Sequence, residues 1–208
     1  MRFYGQHNPP VDKVLYDSYF KNQNKGFFIE AGACDGILES SCKFFEESLG
    51  WEGINIEPDP YLYKRLCINR PDSKNLNIAL SSKNGISSFT HVIHPNRKHI
   101  FGNGSLKHKA SHKASLDRIN CKYEEFTVKT ITYKTLLAEE RIDNLDLFVL
   151  DVEGHELEVL KSLPGAEVLP KIFCIEHTMH NLELLSGMMK DLGYVLDQQV
   201  NNNSYFIL

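Results

Sequence analysis

The sequence predicts an α/β protein built on a doubly wound, mostly parallel sheet that ends in an antiparallel hairpin. Three observations lead there. Short apolar runs of strand length alternate along the chain with stretches whose apolar residues recur at helical spacing. The runs are apolar throughout rather than at every second residue, which marks strands covered on both faces. Near the C-terminus, two strand-like segments flank Asn201-Asn202-Asn203, a composition suited to a hairpin turn.

Taken in order, Val11, Val14, Leu15, Ser18 and Tyr19 predict an amphipathic helix after a polar, proline-containing start, and residues 1–25 form an N-terminal helical segment. Residues 27–31 predict a buried strand feeding a glycine turn, and a helix follows over 40–49, stopped by Gly50. Residues 53–57 predict a second strand ended by Pro58 and Pro60, followed by a helix through Tyr63, Leu66 and Cys67. Residues 76–80 predict a third strand and 87–92 a further one. Next come strand 126–130, a helix with Tyr133, Leu136 and Leu137, and the most apolar strand, 145–150, closing on Asp151. Helix 156–163, strand 171–175, helix 181–192 and a hairpin of 194–200 with 205–208 complete the order.

The 208 residues suit one domain, 1–208, and no apolar run is long enough for a signal peptide or a membrane span, so a soluble, cytoplasmic chain is expected. Five cysteines at 34, 42, 67, 121 and 174, with no CxxC pair, argue against a disulfide framework or a structural zinc site. The net charge of −4 is unevenly spread. Residues 91–122 hold seven Lys/Arg against one acid, Asp117, and five of the nine histidines. This segment carries +6 and leaves −10 on the rest. Neither strand nor helix periodicity marks it, so it reads as a lid or insertion.

In doubly wound sheets, ligands sit beyond the carboxyl ends of the strands. The residues there are Glu30 to Gly36, Glu57 to Asp59, Ala79 to Ser81, Asp151 to Glu156, and Glu176 with His177. Gly32 and Gly36 permit a sharp turn close to a ligand, and Glu57 stands where a carboxylate accepts two ribose hydroxyls, which describes an adenosine site. A dinucleotide needs a pyrophosphate cradle, usually GxGxxG. The turn here, Glu30-Ala31-Gly32-Ala33-Cys34-Asp35-Gly36, lacks that spacing and places carboxylates beside the glycines. Like charges about 4 Å apart repel by roughly 4 kcal/mol at an effective dielectric near 20, so the turn favours a cationic ligand. S-adenosylmethionine, with its sulfonium, ammonium and adenosine, meets both requirements.

Four blocks, FIEAGACDG at 28–36, GWEGINIEP at 50–58, NIALS at 77–81 and LDLFVLDVEGHE at 145–156, together resemble the FkbM-type S-adenosylmethionine-dependent methyltransferases. The resemblance covers about residues 27–177. It implies a class I methyltransferase (Rossmann-like) fold with a seven-stranded sheet whose last strand is antiparallel, and O-methylation of sugars or of hydroxyls on secondary metabolites. The cofactor-binding residues expected are Glu30, Gly32, Ala33, Asp35, Gly36, Glu57, Pro58, Ser81 and Asp151. Family members commonly carry an acid one place after Ser81; this chain has Ser82, so that contact is not carried over.

Methyl transfer to a hydroxyl needs in-line positioning and a base for the proton. His155 and His177 are the candidate bases, with Asp151 and Glu153 beside them, while Glu156 reads as a charge at a helix N-terminus. Asp151, Glu176 and His177 also form a conceivable divalent-cation site, although their spacing is no signature and no metal is assigned. In the basic segment, Ser105, Lys107, Lys109 and Lys113 are candidate contacts to a small-molecule or glycan acceptor bearing phosphate or another anion. Nucleic acid is a poor fit, because Phe101 alone offers a stacking surface before residue 122. Two rival functions remain: a non-catalytic interaction module on the same fold, and a nucleic-acid or protein methyltransferase. The latter lacks the Asn/Asp-Pro-Pro-aromatic element, since residues 151–154 read Asp-Val-Glu-Gly.

Overall fold

The computed structural model describes residues 1–208. Its organising element is β1 (Phe27–Ala31), whose alternate side chains face opposite sides of a central sheet. Strand β1 pairs in parallel with β2 (Glu52–Ile56) on one side and β7 (Leu147–Leu150) on the other. Outward from β2 lies β3 (Lys74–Leu76), and outward from β7 lie β8 (Ile172–Glu176), β10 (Asn203–Ile207) and β9 (Val195–Val200). The order β3-β2-β1-β7-β8-β10-β9 makes a seven-stranded sheet in which β10 is antiparallel to both neighbours. The chain leaves β1 toward one edge and returns at β7 to travel toward the other, so the switch point lies between the ends of β1 and β7.

Both faces are covered, as the apolar strands require. Ile29, Phe148, Leu150, Phe173 and Ile175 point into a core completed by Leu136, Val159, Leu185 and Met189. Those residues come from α5 (Tyr133–Glu140), α6 (Glu156–Leu160) and α7 (Leu182–Asp191). Phe28, Leu147, Val149, Ile172 and Cys174 point the other way. They meet α1 (Val11–Leu15), its π-helical continuation Tyr16–Phe20, and α2 (Lys43–Leu49). Helix α3 (Pro60–Asn69) begins with Asp59, whose Oδ1 accepts from the Tyr61 and Leu62 amides.

Two departures from the sequence reading shape the site. Residues 76–80 are not one strand: Leu76 pairs with Ile56 in the large sheet, whereas β4 (Ala79–Leu80) pairs with Thr130 and Ile131 in a second sheet. Asn77 marks the break, its Nδ2 donating to the Glu57 and Pro58 carbonyls. The second sheet, ordered β4-β6-β5, contains a long antiparallel ladder between β5 (Gly85–Ile93) and β6 (Lys122–Ile131). The basic segment is the far end of this hairpin, and it contains a helix, α4 (Ala110–Arg118). Of that helix only Leu116 is buried, which explains why no hydrophobic period announces it. Helices α2 and α6 are shorter than expected, starting at Lys43 and ending at Leu160. No helix is long and apolar enough to cross a membrane.

Candidate active site

A cavity of about 320 Å³ opens at the switch point. It is bounded by the ends of β1, β2, β7 and β8, by the tip of the β9–β10 hairpin, and by residues 102–106 with α4 from above. The turn after β1 starts with Gly32 at φ +90°; a Cβ there would lie 1.7 Å from the Asp151 carbonyl oxygen, so the two strand ends close together only over glycine. The Gly32 and Ala33 amides both donate to the Ile56 carbonyl. Glycines at 102 and 104 bring the upper loop down in the same way: a Cβ on Gly104 would meet the Phe89 ring at 2.5 Å, and one on Gly102 the Cys34 sulfur at 3.0 Å.

Of the residues expected to hold a cofactor, Gly32, Glu57, Pro58 and Asp151 line the cavity. The Glu57 carboxylate accepts from the Cys34 amide at 2.8 Å and the Asp59 amide at 2.9 Å, which fixes it at the end of β2. Burial and the neighbouring Asp59 push its pKa up to about 8. Glu30, Ala33, Asp35, Gly36 and Ser81 stand behind the wall. Glu30 accepts from the Ser41 and Cys42 amides and the Ser40 hydroxyl, and faces the fully buried Arg70 at 3.5 Å. Asp35 accepts from the Ile37 and Leu38 amides, while Gly36 makes room for Leu66 and Arg70. Ser81 meets the ring of His155, Oγ to Nε2 at 3.0 Å, and His155 lines the cavity with its pKa lowered by burial.

His177 does not reach the cavity; its Nδ1 meets Ser204 Oγ at 3.0 Å behind β10. Glu153, at φ +55°, and Glu176 do reach it. Burial raises Asp151 well above the ordinary carboxylate range, with repulsion from Glu176 and Glu156 adding to it; burial raises Glu153 likewise, with repulsion from Asp151 and Glu176, and burial raises Glu176 as well. Oxygens of Asp151, Glu156 and Glu176 lie within 4.8 Å of one another. Glu156 takes the place expected for His177 in this group, yet both its oxygens are engaged. Oε1 accepts from the Val152 and Gly154 amides, and Oε2 contacts His180 Nε2. Glu156 therefore folds back to brace the 151–155 loop, and Asp151 with Glu176 alone is a thin ligand set for a cation.

The basic segment contributes differently from expectation. Lys107 and Lys113 are exposed, Lys113 standing over the Tyr123 ring, and Lys109 binds the Met179 carbonyl and lies 3.2 Å from His180 Nδ1. Ser105 donates to the Glu153 carbonyl, pinning the loop across the site. Gly102, Asn103, Gly104, Leu106 and His112 are the segment's cavity residues, and none of them is among the expected contacts. Asp59, at the end of β2, also lines the cavity; its second oxygen grips the buried His91 of β5 and ties the end of β2 to the hairpin. Six carboxylates line the cavity (Glu39, Glu57, Asp59, Asp151, Glu153 and Glu176), and no lysine or arginine does.

A parallel sheet in this strand order, with one antiparallel strand and a glycine and two acids at the switch point, defines the class I methyltransferase fold. Residues 30–196 match the Methyltransferase FkbM domain, and the chain belongs to that family. The crystal structure of Methyltransferase FkbM from Methylobacillus flagellatus KT superimposes with a TM-score of 0.58 at 14% identity, covering 96% of this chain and 48% of that one. Hexuronic acid methyltransferase AglP of Haloferax volcanii is 33% identical over 110 residues, 53% of this chain and 40% of AglP. The chain thus spans less than half the length of either relative.

Proposed function

We propose that this protein binds S-adenosylmethionine and transfers its methyl group to a hydroxyl of a sugar or related polyhydroxyl acceptor. The observation that carries the reading is the cavity's composition: Gly32, Glu57 and Asp151 converge at the switch point among six carboxylates, with no lysine or arginine to receive a pyrophosphate. That surface suits a ligand bearing adenosine and positive charge. S-adenosylmethionine supplies an activated methyl on a sulfonium. Glu57 holds the ribose hydroxyls, the backbone around Gly32 leaves space for the amino-acid portion, and Asp151 with Glu153 faces the cation. Ser105 and Asn103 keep the upper loop over the acceptor and limit water. Family membership and the sugar acid in AglP's name support the acceptor class.

With no cationic side chain facing the cavity, a neutral hexoside is the preferred acceptor over a hexuronic acid. Calorimetry with S-adenosylmethionine and S-adenosylhomocysteine tests the first half of this reading, and absence of binding overturns it. Transfer from labelled donor to a panel of neutral hexosides and hexuronic acids tests the second; binding without transfer across a broad panel would favour a non-catalytic module. Because Glu156 is committed to the loop, exhaustive chelation is expected to leave transfer intact, and loss restored by a divalent ion would show that Asp151 and Glu176 recruit one.

A further inference from the structure

His112 is the one imidazole that the hairpin tip presents to the cavity. It lies in α4, outside the seven-stranded sheet, with its side chain only 10% exposed. Its Nε2 faces Asn103 Oδ1 at 3.1 Å. An amide oxygen only accepts, so the ring proton sits on Nε2 and Nδ1 keeps its lone pair. That Nδ1 is enclosed and has no hydrogen-bond partner. The charged group nearest to it is Glu153 Oε2 at 3.8 Å, beyond hydrogen-bond reach, and the other titratable group facing the ring is His108, 5.2 Å away between ring centres. A buried polar atom left unpaired is destabilising, which a ligand hydroxyl would offset. His155 has Nε2 engaged with Ser81, and His177 is outside the cavity, so neither offers the same arrangement.

We propose that His112 Nδ1 is the proton acceptor for the hydroxyl that is methylated. This rests on the methyl-transfer reading above. As the hydroxyl O–H bond breaks toward Nδ1, the oxygen forms its bond to the methyl carbon. The methyl–sulfur bond breaks with its electron pair left on sulfur. The products are a methyl ether, a neutral thioether and the imidazolium of His112, which returns its proton to solvent. Asn103 positions the ring by accepting from Nε2–H. Burial, with His108 beside it, holds the His112 pKa below the ordinary histidine value, so the base is neutral at pH 7.

The test uses the full chain and His112→Gln, with Ser111→Ala on the exposed side of the same helix as a control. S-adenosylhomocysteine should bind all three proteins equally by calorimetry. With labelled S-adenosylmethionine and methyl glucoside or methyl glucuronide as probes, His112→Gln should lower kcat by about a hundred-fold or more, leave KM within a few-fold, and remove the acid limb of the pH profile. Nitrogen NMR of the histidines at pH 7 should show His112 neutral and protonated at Nε2. Wild-type turnover by His112→Gln, or a His112 that is doubly protonated or protonated at Nδ1, overturns the assignment. If neither probe is methylated by the wild type, the NMR result decides it. Failure of the wild type to bind S-adenosylhomocysteine overturns the methyl-transfer reading itself.

Discussion

Glu57 shows how much one carboxylate's surroundings decide. Held by two amides yet buried beside Asp59, it has a pKa near 8 before any ligand arrives. Ribose hydroxyls donating to it favour the ionised form, so binding of S-adenosylhomocysteine near pH 7 should release a proton. Calorimetry in buffers of different ionisation enthalpy measures that release. Glu57→Gln should abolish it and weaken binding by about 10- to 100-fold, the loss of a charge-assisted contact. This residue was legible in the sequence because it ends an apolar run. Glu30, equally acidic and equally near a strand end, points elsewhere, which position along the strand alone does not tell. Strand period places it on the same face as Phe28, where it meets Arg70 and the start of α2 rather than the cavity. His112 had no such handle, being one of five histidines in a stretch without a period.

At the level of elements, α3 and α2 are joined to β1 through a single guanidinium. Arg70 is fully buried and reaches Glu30, the Gly36 carbonyl and Ser40 through Nη1, with Nε donating to Glu46 at 2.6 Å. Removing it strands Glu30 as an unpaired buried acid. Arg70→Ala is expected to cost about 3–5 kcal/mol in a denaturant titration, and Arg70→Ala with Glu30→Gln less than the sum of the two single changes. The strands of the large sheet were readable because apolar runs leave few alternatives. Residues 76–80 misled because an apolar stretch does not say which sheet it joins, and the change of sheet at Asn77 is set by side-chain donors to the backbone. Helix α4 was invisible for the opposite reason, having one buried residue and a polar remainder.

Across the whole molecule, buried charge is mostly acidic, with Arg70 the only buried lysine or arginine. Lys107 and Lys113 face solvent, whereas acids line the cavity. Glu57, near 8, Asp12, near 6, and the raised Asp151, Glu153 and Glu176 bind protons in the folded chain at pH values where the unfolded chain has released them. The sign follows: with more protons on the native state, stability falls as pH rises through the folded pKa values. The lowered histidines, His112, His155 and His177, act oppositely, but only below the unfolded histidine value near 6.5. Melting of the ligand-free protein should therefore occur at a lower temperature at pH 8.5 than at pH 6.5, by about 2–4 °C for each kcal/mol lost. A Tm that rises over this interval would contradict the burial of charge described here. The ladder beneath the basic segment has one more consequence. Ile93 and Lys122 face each other at its upper end, so the 28 residues between them leave and rejoin the scaffold at one place. Such a tip can be exchanged at one joint, but a replacement cap would have to remake the contacts from Ser105 to the Glu153 carbonyl and from Lys109 to the Met179 carbonyl that seat it over the site.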